Sequence, residues 1–334
     1  MDPSAPLLGS SHSQTSGGGT SAPAPGGRRG AQQPDRGDGG RNVRWSPIVT
    51  ALVLLYKVLA LLRRINQATH KFAVRILESA QRLFGGICSE ALTLDEKSWL
   101  TVRIYDSHPV YFEVGNDLYP WEEPWFRRRL PAPPAKVLVG ACGTGREAVA
   151  LAARGYRVDA LEPAPEFVEE SRRRLGDRGH VYRLSYEQLS DAVLDGRAPV
   201  EGAPTGTYDA VVLGSGSLTH VLDPDEQARL LLSVSRLCPQ GPILASFFCD
   251  PEETPVRAGL AVRLGRRIGG TLARARRMPP SHSDRLSYRA HSGFAYTFTP
   301  SEIERLARAI GRPLAWESED KKLAPFHYAT FLPP

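Results

Sequence analysis

The chain has 334 residues, of which 41% are hydrophobic and 23% are charged, and this composition is typical of a folded globular protein of about two domains. Wholly disordered and collagen-like chains are therefore excluded. The four cysteines form no C-x-x-C pair, which argues against a disulfide scaffold and against a metal site. The net charge is +6, but seven arginines and no acid lie between Arg257 and Arg277. The basic character is therefore local and gives no general indication of nucleic-acid binding.

Residues 1–45 are rich in Gly, Pro and Ser and have almost no large apolar side chains, which predicts a disordered tail. Such a segment buries too little surface to offset the backbone entropy of ordering, about 1–2 kcal/mol per residue. We expect a helical N-terminal extension with a lid segment over 46–130. The main domain is predicted over 131–334, with a basic insertion at 250–294.

The apolar run at 47–62 (PIVTALVLLYKVLALL) is the segment best suited to meet a membrane. It has 16 residues and contains Lys57, whereas a spanning helix needs about 20 apolar residues. We therefore expect a helix that ends near Gly85 and Gly86 and either packs on the main domain or lies on a membrane surface.

From residue 135 onward, short β-branched runs alternate with helical patterns. Strands are predicted at 136–139, 156–161, 180–184, 208–213, 243–248, 314–317 and 327–332. The alternation predicts an α/β fold with a doubly wound, mostly parallel seven-stranded sheet and helices on both faces. The last two strands flank a polar loop, which predicts a C-terminal antiparallel pair.

Ligands of open parallel sheets bind beyond the carboxyl ends of the strands, and two features lie there. The first strand runs into small residues (VGACGTG, 139–145), where a backbone can approach a ligand before a helix begins. The second ends at Glu162, which can accept hydrogen bonds from both hydroxyls of a ribose. A tight turn without a ligand is one alternative. A dinucleotide fold is another, because Gly143-x-Gly145-x-x-Ala148 fits the pattern G-x-G-x-x-G/A.

With these features the chain resembles the class I S-adenosylmethionine-dependent methyltransferases. The resemblance covers about 135–334 and lies in four motifs: VLVGACGTG (137–145), Glu162-Pro163, YDAVVLGSGSLTH (208–220) and FTPSEIERLARAIG (298–311). It implies a Rossmann-like fold for the predicted main domain, S-adenosylmethionine as cofactor, and methyl transfer to an oxygen, nitrogen or carbon atom of a small molecule. Two positions depart from the family: Val139 stands where an acid is usual, and Ala141 where a glycine is usual.

The resemblance also implies which residues hold the cofactor. By position they are Val139, Gly140, Ala141, Gly143, Gly145, Glu162, Pro163, Tyr186, Glu187, Leu213 and Gly214. Val139 and the lack of an obvious base suggest an alternative, a methyltransferase-like nucleoside-binding protein without turnover. An NAD(P)-binding Rossmann protein is the remaining alternative.

The loop 214–220 faces the acceptor side in this family. His220 is the candidate general base, because the ordinary pKa of histidine, about 6.5, lies near neutrality; a purely structural role is the alternative. The other candidate acceptor contacts are two serines of the loop and four aromatic residues that precede the first strand: Ser215, Ser217, Tyr105, Tyr111, Tyr119 and Trp121. The alternative for the aromatic residues is a hydrophobic cluster.

The arginine-rich insertion predicts an amphipathic helix, in which Leu260, Leu264, Ile268 and Leu272 share one side and the arginines another. It is expected to be a lid helix with a solvated polar face, or to contact an anionic acceptor or membrane. The expected partner is a small-molecule acceptor, with weak contact of 47–62 and 257–277 to an anionic membrane surface as a further hypothesis. No sequence-specific nucleic acid is expected, because 214–217 lacks the motif usual in base methyltransferases. The low cysteine content favours a cytoplasmic location, with or without membrane association.

Overall fold

The computed structural model describes residues 47–106, 115–195, 206–250, 259–278, 285–289, 292–317 and 326–334. The predicted tail and Tyr111 lie outside these ranges. The chain divides into two compact units, residues 1–64 and 65–334, and the α/β sheet belongs to the second. The predicted domain boundaries near 45 and 130 stay predictions.

The described part of the chain begins with two consecutive helices, α1 (Pro47–Ala91) and α2 (Leu94–Asp106). The helix α1 does not end at Gly85 and Gly86 as expected. Both glycines are buried residues within α1. Each lies so close to another part of the chain that a Cβ would collide with it. Over the part of the chain that is described, no helix is both long and apolar enough to cross a membrane.

Strands and helices alternate after residue 120. The strands are β1 (Lys136–Val139), β2 (Arg157–Glu162), β3 (Gly179–Arg183), β4 (Ala210–Leu213), β5 (Ile243–Cys249), β6 (Leu286–Arg289), β7 (Gly293–Phe298), β8 (Leu314–Trp316) and β9 (His327–Phe331). The helices are α3 (Glu122–Arg129), α4 (Arg146–Ala153), α5 (Pro165–Leu175), α6 (Tyr186–Asp195), α7 (Pro224–Leu237), α8 (Leu260–Ala275) and α9 (Pro300–Ala309).

The sheet confirms the predicted fold class. Five parallel strands lie in the order β3-β2-β1-β4-β5, β9 pairs antiparallel with β5, and β8 pairs antiparallel with β9. These are the seven predicted strands. The hairpin β6–β7, within the predicted basic insertion and just beyond it, was not predicted; its strand β7 runs parallel to the end of β5.

The core consists of one hydrophobic layer on each face of the sheet. Along β1, Leu138 belongs to one layer and Val137 and Val139 to the other, as the two-residue period of a strand requires. Helices α6, α7 and α9 cover the first layer, and α3, α4 and α5 cover the second. Each large side chain buried in this way contributes about 1.5–3 kcal/mol.

The predicted basic helix of the insertion is present as α8, but the side that packs on the protein is not its apolar stripe. Its glycines Gly265 and Gly269 are buried, and a Cβ on either would collide with the backbone of α1 at Leu83 or Ile87. Because the glycine side allows the closest approach of two backbones, α8 packs through it. The predicted apolar stripe of α8 is consequently exposed.

Candidate active site

The loop between β1 and α4 depends on backbone conformations that favour glycine. Gly143 and Gly145 have φ angles of 57° and 87°, and Ala141 has φ 45°. Ala141 therefore adopts the left-handed backbone conformation, which a glycine adopts most easily. This conformation explains why a glycine is usual at this position. At Gly140 the restriction is one of space, because a Cβ would collide with the Tyr186 hydroxyl and with Leu213.

Glu162 holds the glycine loop in place. The Gly143 N–H donates to one carboxylate oxygen (2.8 Å) and the Ala164 N–H to the other (2.9 Å). Burial raises the pKa of Glu162 to about 7, although both hydrogen bonds favour the charged form. Each oxygen retains a further lone pair, so the carboxylate can accept hydrogen bonds from two more donors.

A cavity of about 90 Å³ opens at the carboxyl edge of the sheet, smaller than the about 300–1,000 Å³ common for small-molecule sites. Six of the predicted residues line it: Ala141, Pro163, Tyr186, Glu187, Ser217 and His220. Helix α2 forms another wall through Ser98, Thr101 and Val102. The structure thus brings residues predicted for the cofactor and for the acceptor to one cavity.

His220 lies between two hydrogen-bond partners. Its Nδ1 is 2.9 Å from the carbonyl oxygen of Phe294, and its Nε2 is 3.0 Å from the hydroxyl of Tyr105. Because a carbonyl only accepts, Nδ1 carries the proton and the lone pair of Nε2 accepts from Tyr105. Burial lowers the pKa of His220, opposed by the Phe294 hydrogen bond, so the imidazole is neutral near pH 7.

Tyr105, a predicted acceptor contact at the end of α2, is held by aromatic contacts as well. Its ring meets those of His220 and Phe167 edge-on, with centroid distances of 5.4 and 6.2 Å. Elsewhere on the cavity wall, the Tyr186 hydroxyl donates to Ser217 Oγ (2.9 Å). Two hydrogen-bonded pairs, Tyr105–His220 and Tyr186–Ser217, therefore line the cavity or adjoin it.

A second polar cluster, buried beside the glycine loop, centres on Arg146. Its guanidinium donates to both carboxylate oxygens of Glu122 (2.5 and 2.6 Å) and to Glu147 (2.9 Å). Ser215 donates to Glu147 (2.8 Å), and the ring of Tyr119 lies 3.8 Å from the guanidinium carbon. Burial, with the nearby charge of Glu122, raises the pKa of Glu147. Ser215 and Tyr119, predicted as acceptor contacts, belong to this cluster.

Glu147 also defines the position of Gly214, because a Cβ at Gly214 would collide with the Glu147 carboxylate. Leu213 and Val139 are fully buried in the two hydrophobic layers. Trp121 stacks on Trp125 within an aromatic cluster and is absent from the residues that line the cavity. This location agrees with the hydrophobic-cluster alternative for Trp121.

Two residues near the candidate site were not predicted from the sequence, Thr101 and Arg289. Thr101 is buried, lines the cavity and accepts a hydrogen bond from the Phe294 N–H (2.9 Å), which orients the carbonyl group that binds His220. The Arg289 guanidinium lies 3.8 Å from the centre of the Phe248 ring. Neither contact has a local sequence signal, because the partners lie far apart in the chain. Among the described residues, no group of three His, Cys, Asp or Glu residues is arranged to hold a metal ion.

Comparison with known proteins agrees with this geometry. Residues 137–241 match the family model of a methyltransferase domain. A demethylmenaquinone methyltransferase from Clavibacter sepedonicus is 31% identical over 155 residues, which cover 46% of this chain and 58% of that protein. The match thus spans little more than half of the relative's length.

Similar solved structures include two methyltransferases. Magnesium protoporphyrin IX methyltransferase from Synechocystis PCC 6803 with bound S-adenosylmethionine is 13% identical, has a TM-score of 0.44 and covers 70% of this chain and 95% of that chain. The 1,6-didemethyltoxoflavin-N1-methyltransferase of Burkholderia thailandensis is 20% identical, has a TM-score of 0.40 and covers 63% of this chain and 74% of that chain.

Proposed function

We propose that this chain is a class I S-adenosylmethionine-dependent methyltransferase that transfers a methyl group to a small organic acceptor, as its match to a methyltransferase-domain family model and to a methyltransferase relative supports. When bound, S-adenosylmethionine supplies an electrophilic methyl group on a sulfonium. The observation that carries the proposal is that residues predicted for the cofactor, such as Ala141 and Tyr186, and residues predicted for the acceptor, Ser217 and His220, line one cavity. A cofactor held by the first group would lie beside an acceptor held by the second.

The residues present suit this cofactor. At Gly143 a Cβ would meet nothing within 4 Å, so the loop leaves room for a ligand there, and Glu162 retains lone pairs for ribose hydroxyls. Pro163, Tyr186 and Glu187 line the cavity where the family places the nucleoside. We assign these residues to the cofactor, together with Val139, Ala141, Gly143, Gly145, Leu213 and Gly214.

The proposed mechanism is a direct displacement in which the protein aligns the acceptor and, where required, removes its proton. The neutral His220 holds a lone pair on Nε2 that can take this proton, either directly or through the Tyr105 hydroxyl. The Phe294 carbonyl oxygen, as the partner of Nδ1–H, would stabilise the imidazolium that forms. Ser217 is assigned to acceptor orientation through its place on the cavity wall.

The first experiment tests the cofactor. Calorimetry on the full chain should detect binding of S-adenosylmethionine and S-adenosylhomocysteine and no binding of NAD. Formation of S-adenosylhomocysteine is then measured in a screen of small-molecule acceptors, including quinones because the Clavibacter relative acts on demethylmenaquinone. Cofactor binding without product across the screen would favour the non-catalytic binding protein, and NAD binding would contradict the assignment.

The second experiment tests the base. His220→Asn should lower kcat by about 10²- to 10⁴-fold, the usual contribution of a general base. Cofactor affinity should change little, because His220 faces Tyr105 and Phe294. His180→Asn is the matched control, since His180 is exposed on β3. Full turnover in His220→Asn would assign this histidine a purely structural role.

The proposal extends to location and partners. We infer a cytoplasmic protein whose partner is a small molecule rather than a specific nucleic-acid sequence. Its four cysteines are free thiols, as a reducing compartment would allow. Weak contact of 47–62 and 257–277 with an anionic membrane surface belongs to the same proposal, and fractionation of cells with an antibody to the chain would test it.

A further inference from the structure

Helix α8 exposes apolar side chains in an ordered pattern. Leu260, Leu264, Ile268 and Leu272 follow one another at every fourth position and are 77, 50, 41 and 46% exposed. These four residues, on the helix that packs against α1, are called the α1–α8 face. Isolated apolar residues are normal on protein surfaces, whereas a stripe of four on one helix points to a missing partner.

The packing of α8 fixes this exposure. Its glycine side is occupied by α1, since Gly265 and Gly269 lie against the α1 backbone near Leu83 and Ile87. On a wheel of about 100° per residue, the two glycines lie at about 140 and 180° from Leu260, next to the apolar stripe at about 0–120°. Rotating α8 to bury the stripe would therefore break the close contact of the two helices.

The charges on α8 suggest the chemistry of the missing partner. The helix contains no acid, and Arg263, Arg267 and Arg274 lie at about 300–340° on the same wheel, along the other border of the stripe. All three are exposed, and none has an acidic partner within the described residues. By contrast, Arg276 at the end of the helix donates to Glu96 (2.6 Å).

We propose that the α1–α8 face docks on an anionic lipid membrane surface. Helices that lie in the membrane interface combine an apolar stripe with flanking basic residues in this way, so that apolar groups enter the acyl boundary while cations meet anionic headgroups. A second copy of the chain fits less well. In a two-fold symmetric pair with antiparallel α8 helices, the arginines that border one stripe would face those of the other, and like charges repel.

Helix α1, on which α8 packs, also contacts the element that holds the candidate base. Tyr288 of the hairpin β6–β7 packs against Gly85 of α1 and meets the Phe84 ring edge-on, at a centroid distance of 5.5 Å. The Tyr288 ring also lies 5.4 Å from the ring of Phe294, whose carbonyl oxygen binds His220. Helix α1 thus contacts both α8 and the hairpin that carries Phe294. The docking proposal does not depend on the proposed reaction.

Flotation of the full chain with vesicles tests the proposal. The protein should float with phosphatidylcholine vesicles that contain phosphatidylglycerol, remain behind with pure phosphatidylcholine, and lose binding as salt is raised. The double variant Leu264→Glu, Ile268→Glu should lower partition at least about tenfold, since two charges replace apolar anchors. The matched control is Leu232→Glu, at an exposed leucine of α7.

A second pair of variants tests the charges. Arg263→Gln with Arg267→Gln should weaken binding and flatten its dependence on salt, whereas Arg173→Gln, at an exposed arginine of α5, should change neither. Equal partition of the face variants and the wild type would overturn the proposal. So would a dimer, detected by light scattering, that Leu264→Glu dissociates. Calorimetry on the same samples measures the binding of S-adenosylmethionine. It thereby separates a failure of docking from a failure of the proposed function.

Discussion

The carboxyl edge of the sheet and the α1–α8 pair depart in opposite directions from the usual distribution of side chains. At the sheet edge, charged groups such as Arg146 and Glu162 are buried, whereas on the helix pair apolar groups such as Leu264 and Ile268 are exposed. Buried charge is costly unless it is hydrogen-bonded, and exposed apolar surface is costly unless it is covered. The chain itself supplies the hydrogen bonds at the sheet edge, whereas the apolar stripe of α8 stays exposed, so it is the helix pair that points to a missing partner.

The two regions are also held together by different forces. Directional hydrogen bonds fix the sheet edge, as the two N–H groups that donate to Glu162 and the carboxylates of Glu122 and Glu147 around Arg146 show. The helix pair relies on backbone contact at Gly265 and Gly269. Substitutions at the edge should therefore cost desolvation energy, and substitutions between the helices should cost packing energy.

The largest effect is expected for Arg146→Met. It leaves Glu122 and Glu147 buried without their cation, and breaking a buried ion pair in this way costs about 3–5 kcal/mol. Urea unfolding would measure the loss. The control is Arg173→Met, which removes an exposed pair with Glu170 and should cost about 0–1 kcal/mol. Equal losses in the two variants would show that the cluster does not stabilise the edge.

Glu162→Gln should weaken S-adenosylmethionine binding by about 10- to 100-fold, because hydrogen bonds to a charged group contribute about 1.5–3 kcal/mol. The amide also leaves one of the two backbone N–H donors without its acceptor. Calorimetry measures the affinity, with Glu169→Gln at an exposed position of α5 as control. Unchanged affinity would remove Glu162 from the proposed site.

The pKa of Glu162 gives a prediction in pH. Its value rises from 4.5 in the unfolded chain to about 7 in the folded protein. Between these two pH values the folded state binds more protons than the unfolded state. The contribution of Glu162 to the free energy of unfolding is therefore largest below pH 4.5 and falls as the pH rises to about 7. In unfolding experiments from pH 5 to 8, Glu162→Gln should lose this slope. An unaltered slope would assign the pH dependence to other groups.

The smallest effects come from two adjacent glycines of α8. Gly269→Ala places a methyl group against the α1 backbone and should destabilise the protein by about 1–3 kcal/mol. Gly270→Ala meets open space and should stabilise it by up to about 1 kcal/mol through helix propensity. Thermal unfolding of both variants measures the contrast. If both stabilise, α1 and α8 do not pack closely in solution.

The sequence by itself predicted those parts of the molecule that depend on neighbouring residues. Strand and helix periods repeat over short stretches and therefore gave the parallel sheet with helices on both faces. The start of α7 is likewise set by adjacent residues, since the Asp223 side chain accepts from the Asp225 N–H (2.7 Å) as an N-cap residue does. The association of the glycine loop with Glu162 was predictable too, because adjacent parallel strands end at the same edge.

Tertiary structure alone decided which distant residues meet. The pairs Tyr105–His220 and Thr101–Phe294 join positions 115 and 193 residues apart, and no local pattern encodes such contacts. The wheel of α8 showed an apolar stripe but not its direction. The direction of the stripe depends on which side of α8 can approach α1 most closely. The glycine side approaches most closely, because glycines have no side chains to hold the two backbones apart.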